Sequence, residues 1–384
     1  MPAFPTYGPE EIAALDKQAD AILGVFAARG YTRHEPAILQ PAQIFVDRSG
    51  EEIRRRTFEL TDPSGRELCL RPDLTIPTCQ WQAASGNPYP ARLCYHGLAF
   101  RYRPGDGPTQ FYQAGAELLG LEDRAAGEAE MMTLAVDALR AAGLKKFEMK
   151  IGDLGLFSTL VDALDVPAQW RGRLKRHFWR SGYFEALLAR MVTGSVNETE
   201  RAIDALHGLG AGELRAASEA LLDKESDAPL GARTREEIVE RLMLLASDGA
   251  APKLDAKVAE TIIHVLAVSG GAPAALEEIR SLTKSVAAKM EKPLAAMEAR
   301  LAVLKGLGVD PASVRFAAHF GRNLEYYTGF VFEFWSRDAS GPIEIAGGGR
   351  YDTLMESLGA PRGTSAIGIA IRSERLLAAA RRRK

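Results

Sequence analysis

The sequence predicts an α+β protein: one antiparallel sheet assembled from both ends of the chain, flanked by helices, with a helical insertion hung between the halves. Three observations carry that reading. Strand-like segments at 57–61, 66–70, 93–101 and 110–119 follow one another across short turns, without the long crossovers a parallel sheet needs. Strand character returns late, at 313–320, 326–336, 342–347 and 365–371. Between them, 153–310 is almost wholly helical in pattern. The expected division is 1–152 with 311–384 for the sheet domain, and 153–310 for the insertion.

Each element has its own signal. Ala13, Leu15, Ala19, Ile22, Leu23 and Phe26 recur at three- and four-residue spacing, so 9–30 reads as a helix, with Gly30 placed to end it. Pro36 and Pro41 bracket the extended Ala37-Ile38-Leu39. Thr57–Thr61 and Arg66–Leu70 alternate around Asp62-Pro63-Ser64-Gly65, a hairpin pattern. An alanine-rich helix over 121–145 precedes the strand 146–151. Leu276, Ile279, Leu282, Val286, Met290, Leu294, Met297, Leu301 and Leu304 form one helical stripe that reads as core, started by Pro273 and expected to kink at Pro293. A closing helix is expected over 373–380. The terminal Arg381-Arg382-Arg383-Lys384 reads as a solvated tail that suits a helix C-terminus.

Composition narrows the function. The chain has 384 residues, 46% hydrophobic and 26% charged, with a formal net charge of -2, so no overall field draws it to nucleic acid. The three cysteines, Cys69, Cys79 and Cys94, make no CxxC pair, and the six histidines show no metal-ligand spacing, so neither a metal nor a cofactor is expected. Arg171–Arg176 is a basic cluster that reads as a solvated helix face. The start Met1-Pro2-Ala3-Phe4-Pro5 lacks a signal pattern, and charge interrupts every apolar run before the ~18 residues of a membrane span. A cytoplasmic protein is the expectation.

Four constellations carry chemistry: Leu70-Arg71-Pro72-Asp73-Leu74-Thr75; Phe100-Arg101-Tyr102-Arg103-Pro104 with Gln110–Glu117; Arg322-Asn323-Leu324-Glu325-Tyr326-Tyr327-Thr328-Gly329; and Gly347-Gly348-Gly349-Arg350-Tyr351-Asp352. Taken singly, each has a structural reading. Glu117 and Gln113 could be solvated strand residues, Tyr326-Tyr327 strand packing, Asp73 a turn former and Arg322 a surface ion-pair residue. Taken jointly and in this order they are strong evidence of one fold, because chance would have to produce all four together.

In this order the four segments resemble the class II aminoacyl-tRNA synthetase fold, histidine type, over about 1–120 and 313–378. The resemblance implies roles. Asp73 and Thr75 would hold an α-amino group with help from Gln113, and Arg101 would face a carboxylate or attached phosphate. Arg322 would approach the carboxylate side, while Glu117, Tyr326 and Tyr327 would read an imidazole. Arg101 and Arg375 would stand at the two nucleotide arginines.

The sequence also departs from that enzyme. The loop Pro104–Thr109 is shorter and carries no basic residue, and the acid expected after Tyr102 is absent. Arg372 replaces a glycine that leaves room for adenosine; its side chain would intrude there or form a new anion site. With nine residues after Arg375, no anticodon-binding domain is expected. Amino-acid groups kept beside a damaged ATP site are similar to the regulatory subunits of ATP phosphoribosyltransferase. That resemblance implies a non-catalytic histidine sensor, a self-dimer within a hetero-octamer with short catalytic subunits, feedback inhibition by L-histidine, and no tRNA partner. A shortened histidyl-tRNA synthetase, another ligase of that fold, or a pure assembly scaffold are the alternatives.

Overall fold

The computed structural model describes residues 6–45, 53, 55–102, 108–178, 181–193, 211–224, 236, 239, 252–321, 326–338 and 341–382. Helix α1 (Pro9–Ala28) leads to β1 (Thr32–Arg33), β2 (Leu39–Pro41), β3 (Phe58–Thr61) and β4 (Glu67–Leu70). Next come α2 (Thr75–Ser85), β5 (Ala91–Phe100), β6 (Gln110–Leu119), α3 (Arg124–Ala141) and β7 (Glu148–Asp153). The helices α4 (Leu154–Ala163), α5 (Ala168–His177), α6 (Ser181–Thr193), α7 (Ala211–Lys224) and α8 (Ala256–Ala267) follow. After β8 (Ser269–Gly271) come α9 (Ala272–Leu282), α10 (Ala287–Gly306) and β9 (Arg315–Ala317). The chain closes with β10 (Phe330–Asp338), β11 (Gly341–Arg350), α11 (Asp352–Ser357), β12 (Ala366–Arg372) and α12 (Ser373–Arg381).

The main sheet runs β1-β5-β6-β12-β11-β10-β7-β9-β8. Its central strands, β5 through β7 in that order, are antiparallel, but β1 joins β5 and β9 joins β7 in parallel. The wholly antiparallel expectation therefore fails at both flanks. Each parallel pair is separated in sequence by a long excursion, which supplies the crossover a parallel pair requires. The predicted hairpin forms, but in a separate sheet of order β2-β4-β3. Its turn is held by Asp62, whose Oδ1 accepts from the Ser64 and Arg66 N–H groups, and Gly65 takes φ 84°.

Alternation sorts the two faces of the main sheet. Ala114, Ala116 and Leu118 of β6 and Ile367, Ile369 and Ile371 of β12 are buried on one face. Gly127 of α3 meets Leu118 and Ile367 there, and α1 packs beside α3 and α12. The other face carries Gln113, Gly115 and Glu117, paired in register with Arg372, Ala370 and Gly368. Gly347 and Gly349 of β11 extend that face. Small residues leave a floor from which the larger polar side chains rise.

The stripe expected as one helix is two. A 3-10 turn at Lys284–Val286 separates α9 from α10, whereas Pro293 lies inside α10. Thr283, with φ -105° and ψ 20°, departs from helical geometry, consistent with the poor helix propensity of Thr and Ser. The chain forms two compact units: Met1–Leu156, Val268–Ser281 and Met290–Lys384; and Phe157–Ala267 with Leu282–Lys289. The sequence boundary at 310 differs from this because β8 pairs with β9 and brings its neighbours to the sheet. The second unit has its own aromatic core, with Phe157 stacked on Phe178 at 4.5 Å and edge-on to Phe184 at 5.9 Å. Among the described residues, no helix is long and apolar enough to cross a membrane.

Candidate functional site

Glu117 is the centre of the polar face and is wholly buried. Its position on β6 puts it opposite Gly368, where an added Cβ would run into Glu117 Oε2. Tyr95 of β5 donates its hydroxyl to Glu117 Oε1 at 2.9 Å, and the Tyr351 hydroxyl donates to Oε2. Tyr95 reaches Glu117 by passing over Gly115, whose missing side chain makes the space. With its one proton on Glu117, the Tyr95 oxygen is left to accept from Thr75 Oγ1 at 3.1 Å and Gln113 Nε2 at 3.5 Å. Burial pushes the Glu117 carboxyl up to about 7, against the lowering pull of hydrogen bonds from Tyr351, Thr75 and Tyr95.

Asp73 stands beside this cluster, 2% exposed, at the entry to α2. Its Oδ1 accepts the Ile76 N–H at 3.1 Å, while buried Oδ2 has no hydrogen-bond partner among the described residues. Burial raises its pKa, and the Arg101 charge opposes that rise. Arg101 donates from Nε to the Pro72 carbonyl at 2.5 Å and lies 5.7 Å from the Phe111 ring centroid. The preceding turn is pinned by Arg71, 1% exposed, whose guanidinium donates to the Leu98 carbonyl at 2.7 Å and to that of Pro36. Gly97 is required beneath it, since a Cβ there would strike Arg71 Nη2.

Tyr326 and Tyr327 precede β10 and do not belong to it, so the strand expected from 326 starts later, at Phe330. Their rings pack against each other at 4.9 Å and against Tyr351 at 5.7 and 6.4 Å. Tyr326 feels the charges of both Asp73 and Glu117, and its burial raises the phenol pKa well above the ordinary value. Asp73, Thr75, Gln113, Glu117, Tyr326 and Tyr327 are thus gathered in one place. Arg322 lies outside the described residues, as do 103–107 of the shortened loop.

Arg372 ends β12, four positions beyond Gly368, and Arg375 follows it in the first turn of α12. The Arg372 guanidinium lies 4.0 Å from the Phe111 ring centroid, and Arg375 Nη1 donates to the Glu344 carbonyl at 3.2 Å. A purine would have to displace Arg372 to use that ring face.

Tyr95 and Tyr351 are the residues that sequence reasoning missed. Tyr351 sits inside the Gly347–Asp352 segment, but its role depends on chain folding that brings it to Glu117. A buried ion network steadies that segment. Arg350 pairs with Glu128 at 2.7 Å and Asp352 at 3.1 Å, and Arg300 of α10 pairs with Glu128 at 2.7 Å and Asp153 at 2.6 Å. No group of three potential metal ligands lies together among the described residues.

The family model described as Histidyl-tRNA synthetase matches residues 4–251 and 245–376, so sheet and site define a protein of the histidyl-tRNA synthetase-like, class II fold. A crystal structure described as an ATP phosphoribosyltransferase regulatory subunit/histidyl-tRNA synthetase from Bacillus halodurans shares that fold, with TM-score 0.69 and 24% identity over 99% of this chain and 83% of that one. Two proteins named ATP phosphoribosyltransferase regulatory subunit are closer in sequence. The one from Agrobacterium fabrum is 34% identical over 369 residues, covering 94% of this chain and 96% of its own. The one from Sinorhizobium medicae is 33% identical over 376 residues, covering 95% and 98%. This chain belongs to the family of ATP phosphoribosyltransferase regulatory subunits.

Proposed function

We propose that this chain is a non-catalytic sensor of L-histidine, required by a short catalytic ATP phosphoribosyltransferase subunit for activity and for feedback inhibition at the first step of histidine biosynthesis. The observation that carries the reading is the buried Glu117 carboxylate, clamped by Tyr95 and Tyr351 beside Asp73, whose Oδ2 has no partner among the described residues. Buried polar groups without partners cost roughly 1–3 kcal/mol each, so such a pocket favours a ligand with matching donors.

Histidine supplies them. Its ammonium group suits Asp73, Thr75 and Gln113; its carboxylate suits Arg101 and Arg322; its ring N–H suits Glu117, with Tyr326 and Tyr327 as the ring's neighbours. A site that hydrogen-bonds both ends and the ring rejects apolar amino acids of similar size. Arg372 on the Phe111 ring disfavours ATP and supports a role in sensing over adenylate formation. Occupancy acts on the partner by linkage: whatever histidine does to the partner's ligand affinity, that ligand does to histidine affinity. The assembly we propose is a self-dimer within a hetero-octamer, with no tRNA bound.

The test is co-expression with the short catalytic subunit, activity measured with and without histidine, and calorimetry of histidine on this chain. Binding here, with inhibition of the complex, is the expected result. An inhibited complex whose regulatory chain binds no histidine would overturn the pocket assignment. Histidine-dependent ATP–pyrophosphate exchange at ordinary synthetase rates would make the chain a ligase instead.

A further inference from the structure

Arg350 and Asp352 stand on either side of Tyr351, and both belong to the buried ion network. Arg350 Nε donates to Glu128 Oε1 at 2.7 Å, its Nη1 to Asp352 Oδ1 at 3.1 Å and its Nη2 to the Arg124 carbonyl at 2.8 Å. The Arg350 carbonyl accepts the Thr328 N–H at 2.8 Å, and the Asp352 N–H donates to Thr328 Oγ1 at 3.1 Å. Thr328 directly follows Tyr326 and Tyr327. Tyr326, Tyr327 and Tyr351 therefore hang from two segments that are tied to each other. Arg300, from α10, enters this network from elsewhere in the chain. Its guanidinium bridges Glu128 Oε2 at 2.7 Å and Asp153 Oδ2 at 2.6 Å, and lies 4.6 Å from the Phe330 ring centroid. Asp153 is fixed in turn at the start of α4, where its Oδ1 accepts the Gly155 N–H at 2.7 Å. None of these partners of Arg300, nor Met297, which it also meets, belongs to the Glu117 pocket.

We infer that Arg300 is a positioning residue for the ligand pocket: acting through Glu128 and Arg350, it fixes Tyr351 against Glu117 and so sets the affinity for histidine. The inference rests on the histidine reading of that pocket. A buried ion network is weak evidence for stability, since apolar replacement often serves as well, but a guanidinium fork between two carboxylates fixes their angle. Glu128 gives one oxygen to each arginine, so the place of Arg350 depends on where Arg300 holds the carboxylate. The charges are matched. Glu128, Asp153 and Asp352 face Arg300, Arg350 and Arg124, the last 3.1 Å from Asp352. Without Arg300 the network keeps an excess negative charge, and the Glu128 carboxylate is free to turn and take Arg350 with it.

Calorimetry with L-histidine on the full chain tests this, each variant first shown folded by circular dichroism. Arg300→Met should weaken histidine about tenfold, as loss of the Tyr351 hydroxyl should, because that is the contact it places. Arg300→Lys keeps the charge but not the fork, should weaken histidine about threefold, and carries the test if Arg300→Met fails to fold. Adding Tyr351→Phe to either arginine variant should weaken binding little beyond Tyr351→Phe alone, since residues that act through one contact are not additive. A loosened fold would instead multiply the two losses, to about a hundredfold with Arg300→Met. Parent protein that binds histidine, with affinity unchanged in a folded Arg300 variant or with losses that multiply, would overturn the inference and leave the pocket reading standing. No heat from the parent protein would overturn both.

Discussion

The two ends of the β6–β12 strand pair have been built in opposite ways. At the Glu117 end, glycines at 115 and 368 withdraw so that a carboxylate and two phenols can meet in a buried space. At the Arg372 end, a long side chain stands opposite Gln113 and covers an aromatic ring. The first end holds polar groups with valence to spare. The second fills its aromatic face from within the protein. The contrast teaches that the proposed amino-acid pocket and the aromatic platform draw on different positions of β12, Gly368 and Arg372, which stand roughly 13 Å apart along the strand.

The largest effect is expected where the support of the first end is cut. Arg350→Met should cost roughly 3–5 kcal/mol by denaturant unfolding, because it strips a buried pair from Glu128 and frees Tyr351's flank. A cost below about 1 kcal/mol would mean the network is not rigid support.

Next comes a pH effect. Folded Glu117 titrates at about 7 against 4.5 ordinarily, so between those values the folded state holds a proton that the unfolded chain has released. Its contribution therefore lowers stability as pH rises through that window and is level above it, by about 3 kcal/mol in all. Glu117→Gln cannot titrate, so relative to the parent it should be more stable at pH 8 than at pH 5 by about that amount, while losing histidine binding. Parallel pH–stability curves for the two proteins would refute the shift.

Gly368→Ala should destabilise by roughly 1–3 kcal/mol through the clash with Glu117 and abolish the heat of histidine binding. Tyr351→Phe removes one donor from Glu117 and should weaken histidine about tenfold, in line with a charged hydrogen bond of roughly 1.5–3 kcal/mol partly replaced by water. The smallest effect belongs to the other end. Arg372→Gly should weaken histidine less than Tyr351→Phe does, because Arg372 stands opposite Gln113 and makes no contact with Glu117. A large loss there would show that the two ends are coupled and would break the comparison.

Much of this arrangement was legible in the sequence, and the limits have physical causes. Asp73, Thr75, Gln113 and Glu117 were readable because each sits in a short segment whose wording is distinctive. Tyr95 was not, since a tyrosine in an alternating strand looks the same whether it meets lipid-like core or a carboxylate. Helix α2 was not expected from the sequence; Pro77 stands in its first turn, where no intrahelical N–H bond is lost. The parallel flanks escaped because strands of two and three residues carry almost no periodicity. The contact of Arg372 with Phe111 joins residues far apart in sequence, and only the folded chain brings them together.

The pairing of Glu117 with Gly368 and Gln113 with Arg372 has one more consequence. Side chains alternate along a strand, so sliding β12 by a single residue against β6 would send its small residues and Arg372 to the opposite face together. A one-residue slip of the whole strand would then displace both ends in one event, while a change of side chain can alter either alone. The strand pair acts as a common ruler for both ends.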